Sequence, residues 1–337
     1  MRIGYNPLKD TKIAHDYYHR VIIPVFIPNL HDEYFSKGLE VTKLCLESLL
    51  KTIHSKTFVT VINNGSCVEV THFLQFLYEE KKIHQLVHYK SNIGKIDAVI
   101  PIARMSQESL ITIADGDVLF KQGWMQGVES VFVHFPEAGM VSPVPHGSTY
   151  YNHTINTLFD GLFKRLLKFQ SLCNPNDMLL FAESIGKKDT MYLKKARLKN
   201  QLTVKRKNQS AVIGCGHFVA TLRKEVFKFA PKKWSRWAYA SEADRNYIDI
   251  PNEKAKLWRL ATIENLAYHM GNVPTPWMYD VFKNLPQNSN LTQVIPKRKK
   301  WHIPFVVKKV LIRLLFSKKV RPHFFGWLGL NEGKNEF

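Results

Sequence analysis

The sequence predicts an α/β fold in which a mostly parallel sheet is covered by flanking helices, with an amphipathic helical tail at the carboxyl end. In the first half, short β-branched apolar segments alternate with segments of helical periodicity, the pattern of repeated strand–helix units. Three of the predicted strands end in polar or Asn- and Gly-rich turns. Because parallel strands end at the same edge of a sheet, these turns are expected to line a ligand crevice.

The predicted elements of the first half follow one another closely. Strands are expected at residues 21–27, 58–62, 86–89 and 111–120, and helices at 38–54, 68–78 and 96–105. Pro24 interrupts the first strand, which predicts that this strand ends or bends there. The Asn-Asn-Gly-Ser turn at 63–66 closes the second strand.

The pattern changes after residue 145. Residues 187–207 hold nine basic residues and one acidic residue, which predicts an exposed segment. A strand-like segment at 211–222 contains a Gly-Cys-Gly corner. Residues 234–251 mix aromatic side chains with carboxylates, as expected of a loop that faces a substrate.

Composition and charge restrict the class of partner. The chain has 337 residues, is 45% hydrophobic, and carries 48 Lys and Arg against 28 Asp and Glu, a formal net charge of +20. Such an excess indicates an anionic partner: nucleic acid, anionic lipid or a phosphorylated substrate. We expect no secretory signal and no membrane span, because no apolar run has the required character or length. Four scattered cysteines are expected to be reduced, which fits a cytosolic compartment.

Asp115 and Asp117 end the apolar segment ITIADGDVLF. Alternate side chains of an extended backbone point the same way, so both carboxylates can converge on one point. Hard oxygen ligands at that spacing suit Mg²⁺ or Mn²⁺ held against a diphosphate. The alternative interpretation is a solvated turn at the end of a strand.

The tail has a basic amphipathic pattern. Residues 297–321 include ten basic residues and no acid. An apolar stripe at helical spacing runs through residues 303–315, with Lys308, Lys309 and Arg313 off it. We therefore expect an in-plane helix on an anionic membrane surface, followed by an aromatic anchor. The alternative is a helix that packs on the protein's own core.

Seven segments, taken in order, resemble the inverting family 2 glycosyltransferases of GT-A fold, particularly bacterial members that build surface polysaccharide. They are VIIPVF, VINNGS, Asn92-Ile93-Gly94, IADGDVLF, GHFVATLRKEVF, SEADRNY and YHMGN. The resemblance runs over about residues 20–275. It implies a GT-A domain with a nucleotide-sugar-binding half at residues 1–145 and an acceptor-binding half at 146–295. The membrane-associating tail, 296–337, lies outside it.

The resemblance also implies roles for individual residues. Nucleotide contacts are expected from Pro24, Asn63, Asn64, Asn92, Lys95, Asp97 and Asp115. Asp115 and Asp117 are expected to bind Mn²⁺ or Mg²⁺, and His269 to complete the metal site or to meet the diphosphate. Family members usually carry an Asp in the turn where this chain has two asparagines, which leaves the base open; a UDP-sugar is the expected donor.

An inverting transfer needs a base within hydrogen-bond reach of the acceptor hydroxyl. The resemblance places this base in SEADRNY, where the family's adjacent Glu-Asp pair is spread out as Glu242-Ala243-Asp244. We favour Asp244, because the Arg-Asn-Tyr that follows it is typical of a loop that contacts a sugar. Glu242 is the alternative, and both could instead be ordinary acidic residues at a helix start.

The predicted function is metal-dependent transfer of a sugar from a nucleoside-diphosphate sugar to a glycan, expected to be lipid-linked, in surface polysaccharide synthesis. The expected location is cytoplasmic, peripheral on the inner face of the bacterial cytoplasmic membrane. A nucleotidyltransferase with an Asp-x-Asp metal site would need a Gly-rich basic phosphate loop near the amino terminus, where the sequence has none. A nucleic-acid-binding protein would explain the charge, but the sequence has no zinc-finger or RNP-type motif, so no specific nucleic acid is expected.

Overall fold

The computed structural model describes residues 3–13, 15–193, 195–238, 240–286, 295–296, 303–334 and 337. Its strands are β1 His19–Val25, β2 Thr57–Asn64, β3 Gln85–Tyr89, β4 Leu110–Ala114, β5 Val118–Phe120, β6 Ala138–Ser142, β7 Leu167–Gln170, β8 Gln201–Arg206, β9 Gln209–Ile213, β10 Val219–Arg223, β11 Trp258–Ala261 and β12 Ala267–His269. Its α-helices are α1 Gly38–Thr52, α2 Val68–Glu79, α3 Lys95–Met105, α4 Trp124–His134, α5 Ile155–Phe163, α6 Pro175–Ser184, α7 Lys188–Met191, α8 Ala196–Lys199, α9 Ser241–Asp244, α10 Ile250–Lys254, α11 Pro276–Lys283, α12 Phe305–Leu315 and α13 Arg321–Trp327. A π-helical segment, Arg245–Asp249, joins α9 to α10.

A mixed sheet organises these elements, with ten strands in the order β3-β2-β1-β4-β10-β6-β11-β9-β8-β7. β3, β2, β1 and β4 are parallel, β10 runs antiparallel between β4 and β6, and β11 is parallel to β6. β9, β8 and β7 are joined by antiparallel pairing at the far edge. The expected α/β fold, a mostly parallel sheet with flanking helices, is confirmed.

Most strands and helices predicted in the first half are present close to their predicted bounds, but the single strand predicted at 111–120 is two strands, β4 and β5, which belong to different sheets. β1 does not end at Pro24 but continues to Val25. Pro24 is paired in register with Ile62 of β2, whereas β4 pairs with β1 only as far as Ile22. Because β4 does not pair with β1 at Pro24, the missing N–H of proline breaks no hydrogen bond to β4.

Alternate residues of β1 enter two different cores, as the two-residue period of a strand requires. Val21 and Ile23 pack with the apolar face of α1. Ile22, between them, packs with α3 on the opposite face of the sheet. The burial of both faces makes β1 and its neighbours a rigid base for the residues that follow their carboxyl ends.

Residues 187–207 contain more regular structure than their basic composition predicted. α7 and α8 are short helices, and β8 pairs with β9. Leu202 and Val204 of β8 are buried, whereas Lys205 is exposed. Packing of alternate apolar side chains thus forms a strand even in a segment rich in charge. The predicted segment at 211–222 is two strands, β9 and β10, separated by the Gly-Cys-Gly corner.

The described part of the tail packs on a third hydrophobic core, distinct from the two that β1 enters. Ile312 of α12 and Phe324 and Phe325 of α13 are buried there. Lys308 is also buried, and its Nζ lies 2.7 Å from Oδ1 of Asp160 in α5. This ion pair explains why Lys308 faces the protein, although the sequence pattern placed it on the solvated face of the helix.

The apolar stripe of α12 is divided between protein and solvent. Val306, Val307, Val310 and Leu314 are between 53% and 70% exposed. The other residues of the stripe, Ile303, Leu311 and Leu315, are partly buried against the third core. Residues 297–302 of the predicted tail lie outside the described residues. Within the ranges that the structure describes, no helix combines the length and apolar character that crossing a bilayer requires.

Candidate active site

A cleft of about 640 Å³ lies between the end of β4, the segment before β10, and α9. Open α/β sheets bind ligands at the carboxyl ends of their parallel strands, which is where this cleft opens. Six of its lining residues carry the candidate chemistry: Lys95, Asp115, Asp244, Arg245, Asp249 and His269.

Asp115 follows β4 directly and faces the first residue of α3. The N–H of Asp115 donates to the carbonyl oxygen of Phe218 at 2.7 Å, which extends the pairing of β4 with β10. Its carboxylate forms an ion pair with the ammonium of Lys95. The same ammonium lies 3.9 Å from Oδ1 of Asp244. Lys95 therefore lies between the carboxylate predicted to contact the donor and the carboxylate predicted to act as the base.

The pairing of β5 with β12 brings His269 to Asp117. Val118 lies opposite His269 in this antiparallel pair, and Nε2 of His269 is 3.4 Å from Oδ2 of Asp117. Oδ1 of Asp117 is buried and has no hydrogen-bond partner in the described part of the chain. Burial, opposed by His269 and reinforced by Asp115, raises the pKa of Asp117 to about 6. A buried carboxylate oxygen without a partner is a position that a cation would stabilise.

The hydrogen bonds of His269 distinguish between its two expected roles. The N–H of Gly271 donates to Nδ1 of His269 at 3.2 Å. Because Nδ1 accepts, the proton of the neutral imidazole is on Nε2, which faces Asp117. A protonated Nε2 can donate to a phosphate oxygen but cannot coordinate a metal. The arrangement therefore favours contact with the diphosphate.

Asp244, the last residue of α9, is buried beside the cleft. Its Oδ1 has no hydrogen-bond partner among the residues that the structure describes. Burial raises the pKa of Asp244, and the charge of Lys95 partly offsets this rise. Glu242 is exposed and is not among the described residues that line the cleft. Of the two candidate bases, Asp244 therefore has the better position for accepting a proton.

The three asparagines expected at the nucleotide are engaged in hydrogen bonds within the protein. Oδ1 of Asn63 accepts the N–H of Ser66 at 2.9 Å. Nδ2 of Asn64 donates to Oδ1 of Asn92 at 2.9 Å, and the same oxygen accepts the N–H of Gly94 at 2.8 Å. These bonds fix the turns after β2 and β3, so the asparagines shape that wall of the site.

Pro24 and Asp97 also support the backbone around the site. Pro24 is half-buried, and its carbonyl oxygen lies next to Gly116: a Cβ added to Gly116 would be 3.6 Å from that oxygen. Asp97 is buried, and its carboxylate accepts the N–H groups of Ser235 and Arg236 at 2.7 and 2.9 Å and the Ser235 hydroxyl at 3.0 Å. Asp97, which was predicted at the nucleotide, joins α3 to the loop that leads into α9.

A positive φ at Gly94 permits this loop to approach α3. Gly94 has a φ of +93°, and a Cβ at this position would lie 2.2 Å from the carbonyl oxygen of Trp237. Any other residue would therefore force the loop away from the start of α3. The close approach keeps the loop before Asp244 next to Lys95.

The residues at the end of β4 fit a divalent cation in their chemistry. Asp115 lines the cleft, Asp117 lies against His269, which also lines it, and both supply hard oxygens. Oδ1 of Asp117 is buried and has no hydrogen-bond partner in the described part of the chain. The Asp115 carboxylate is turned toward Lys95, however. The possible ligand atoms of Asp115, Asp117 and His269 therefore do not all lie within 4.8 Å of one another. Within the described ranges, His19, His54 and Glu129 are the only group of three such residues that does meet this distance.

That buried cluster lies at the opposite edge of the sheet, where β1 begins. Nδ1 of His19 and Nε2 of His54 lie 2.8 and 3.0 Å from Oε1 of Glu129, and the hydroxyl of Tyr18 donates to Oε2 at 2.8 Å. Burial opposes ionisation of Glu129, but the hydrogen bonds from the two histidines outweigh it and hold its pKa at about 2. Because these atoms satisfy one another, the cluster is a structural network.

Sequence reasoning missed several polar residues of the cleft. Asp249 lies 2.8 Å from Nε2 of His217 and 3.2 Å from Nη2 of Arg259. His153 also lines the cleft, next to Arg245. The available signal was the arginine within the apolar segment LWRLATI, because a buried arginine requires a carboxylate or carbonyl partner.

No family model matches the chain, and no curated protein matches it. Among solved structures, the mannosyltransferase PcManGT from Pyrobaculum calidifontis, in complex with GDP-Man and Mn²⁺, is 17% identical over 66% of this chain and half (50%) of its own, with a TM-score of 0.36. S. aureus TarS 1-349 is 10% identical over 78% of this chain and 62% of its own, with a TM-score of 0.42. TarS 1-349 in complex with UDP-GlcNAc is 14% identical over 38% of this chain and 34% of its own, with a TM-score of 0.30. At TM-scores this low, the similarities carry no argument about the activity of this chain.

Proposed function

We propose that this chain is an inverting, metal-dependent glycosyltransferase of GT-A type and family 2 character. The proposed donor is a nucleoside-diphosphate sugar, with UDP as the nucleotide, and the proposed acceptor is a lipid-linked glycan of surface polysaccharide synthesis. One observation carries the proposal. Lys95 lies between Asp115 and Asp244 in a single cleft, so a donor-side carboxylate and a candidate base meet at one cation.

On the donor side, two groups can oppose the charge of a diphosphate. They are the ammonium of Lys95 and the Nε2–H of His269. Negative charge grows on the leaving diphosphate during transfer, and donors already fixed at that position stabilise it. A divalent cation held by Asp115 and Asp117 would supply further neutralisation of this charge.

On the acceptor side, Asp244 takes the proton of the attacking hydroxyl. The hydroxyl oxygen forms the new bond to the anomeric carbon as the bond from that carbon to the diphosphate breaks, so the configuration inverts. A buried carboxylate oxygen that has no hydrogen-bond partner among the described residues can accept such a proton. The raised pKa of Asp244 brings its basicity closer to working pH.

The proposal is tested by nucleotide release from sugar nucleotides. The protein is incubated with UDP-, GDP- and dTDP-sugars, with Mn²⁺ or with EDTA, and the released diphosphate is measured. With water as the acceptor of the sugar, we expect slow release of the diphosphate from one nucleotide class, dependent on Mn²⁺ and lost in Asp117→Asn. Asp189→Asn, the same change at an exposed residue of α7, should retain it. Release that persists in EDTA would exclude the metal, and no release from any donor would exclude the transferase.

We also propose that α12 holds the protein on an anionic membrane surface. Exposed apolar side chains on one helix, close in sequence to exposed basic residues, support this placement. The exposed basic residues are Arg313, Lys318 and Lys319. A protein held this way would meet a lipid-linked acceptor at the inner face of the cytoplasmic membrane.

A further inference from the structure

Besides Asp244 and Asp249, the cleft is lined by cationic and imidazole groups, among them His153, Arg245 and Arg259, and Arg245 is exposed. We infer that the acceptor carries an anionic group, phosphate or carboxylate, near its reacting hydroxyl, and that the guanidinium of Arg245 binds it. This inference rests on the proposed function, because it names the acceptor class of the same site.

The π-helical segment places Arg245 at the cleft together with the candidate base. The N–H of Ile250 donates to the carbonyl oxygen of Arg245, the bond that defines this wider turn. Asp244 before the segment and Arg245 and Asp249 within it all line the cleft. Single π turns inside helices are frequent at functional sites because they redirect neighbouring side chains. An acceptor whose hydroxyl reaches Asp244 therefore passes next to Arg245.

A chain of polar contacts orients the guanidinium of Arg245. Nε of Arg245 donates to Nε2 of His153 at 3.4 Å, and Nδ1 of His153 lies 3.5 Å from Oε2 of Glu253. Because Nε2 accepts, the neutral His153 ring carries its proton on Nδ1, toward Glu253. The two terminal nitrogens of Arg245 form no hydrogen bond within the described part of the chain. They leave a planar fork that matches the paired oxygens of a phosphate or carboxylate.

The nearby acidic groups are already engaged. Asp249 is 3.2 Å from Nη2 of Arg259 and 2.8 Å from His217. Asp244 faces Lys95 at 3.9 Å. The charge of Arg245 is thus not compensated by the cleft carboxylates, and cationic clefts concentrate anionic ligands. An anionic acceptor would compensate that charge where a neutral one would not.

The test compares three probes on protein saturated with UDP and Mn²⁺: glucose, glucose 6-phosphate and glucuronic acid. Dissociation constants are measured by calorimetry. We expect the phosphate, the carboxylate or both to bind at least about tenfold more tightly than glucose. Whichever of the two binds more tightly identifies the anion. Equal binding of all three probes would overturn the inference.

Variants separate recognition by Arg245 from the overall charge. Arg245→Gln should abolish the preference, and Arg245→Lys should retain only part of it, because lysine lacks the fork. Lys207→Gln removes the same charge at the exposed turn between β8 and β9 and should retain the preference. A preference that survives Arg245→Gln, or that Lys207→Gln also removes, would overturn the assignment.

The outcome is distinguishable from failure of the proposed function. Arg245→Gln should leave the dissociation constant of UDP unchanged, since Arg245 lies on the acceptor side. If UDP does not bind at all, the proposed function fails, and the preference of Arg245 for anionic probes is still measured without UDP.

Discussion

Replacement of two exposed valines on α12 should weaken membrane binding without unfolding the protein. Val306 is 70% exposed and Val310 is 55% exposed. Full burial of a valine side chain contributes about 1.5–2 kcal/mol, so transfer of the exposed fraction of each into lipid contributes about 1 kcal/mol. The double change Val306→Ser with Val310→Ser should therefore remove about 2 kcal/mol of binding free energy, or about 30-fold in the partition coefficient.

The assay is co-sedimentation with vesicles that contain phosphatidylglycerol, compared with vesicles of phosphatidylcholine alone. The matched control is Val68→Ser, which changes a valine that is 58% exposed at the start of α2. Thermal unfolding should change little in either variant, because exposed substitutions usually alter stability by less than about 0.5 kcal/mol. Unchanged binding of the double variant, or an equal loss in Val68→Ser, would refute the membrane assignment of α12.

Three further results are expected. Asp244→Asn should lower kcat about 10²–10⁴-fold with little change in UDP binding, measured as diphosphate release; if Glu242→Gln does so instead, the base is misassigned. Glu129→Gln should lower the free energy of unfolding, measured in urea, by about 1.5–3 kcal/mol, because the buried histidines lose their hydrogen bonds to a charged acceptor; a loss under about 0.5 kcal/mol would contradict the network. Finally, the double variant Asp117→Asn with Asp244→Asn should lose stability below pH 6.5, the ordinary pKa of histidine, because burial lowers the pKa of His19 in the folded protein. It should lose further stability below pH 4.5, because the pKa of Glu129 is held at about 2 in the folded protein.

The sign of this pH dependence follows from proton binding. Both groups bind protons less tightly in the folded protein than in the unfolded chain, so unfolding takes up protons and is favoured as the pH falls. Urea denaturation at pH 7.5, 5.5 and 3.5 measures the free energy of unfolding at each pH. Because the raised pKa values of Asp117 and Asp244 contribute with the opposite sign, the test is made in the double variant Asp117→Asn with Asp244→Asn, where a stability that is flat or rises on acidification would contradict the assigned network.

Periodicity predicted the first half of the fold because its strands and helices have local patterns. The segments that became β1, α1 and α3 read directly as apolar strands or helical stripes. The strand β8 was missed because the lysines around it dominate the composition, whereas burial of Leu202 and Val204 decides its conformation. Composition describes the surface of such a segment, but its conformation depends on the strand beside it.

The position of Asp115 and Asp117 after a strand could be predicted, because the apolar segment that becomes β4 ends directly before them. The contacts of Asp97 could not be predicted, because its partners Ser235 and Arg236 are distant in sequence. The orientation of α12 was not predictable for the same reason. The sequence pattern placed Lys308 on the solvated face, but its ion pair with Asp160 turns Lys308 toward the protein and leaves the apolar stripe divided between protein and solvent.

The most direct test of the central claim is a thermal shift measurement with UDP, GDP, CMP and dTDP, each with and without Mn²⁺. We predict a rise of about 5 °C for UDP that requires Mn²⁺ and is lost in Asp117→Asn, as expected for a ligand present at about one hundred times its dissociation constant. A shift that persists without the metal or in Asp117→Asn, or no shift with any nucleotide, would contradict a metal-dependent nucleotide-sugar site at the end of β4.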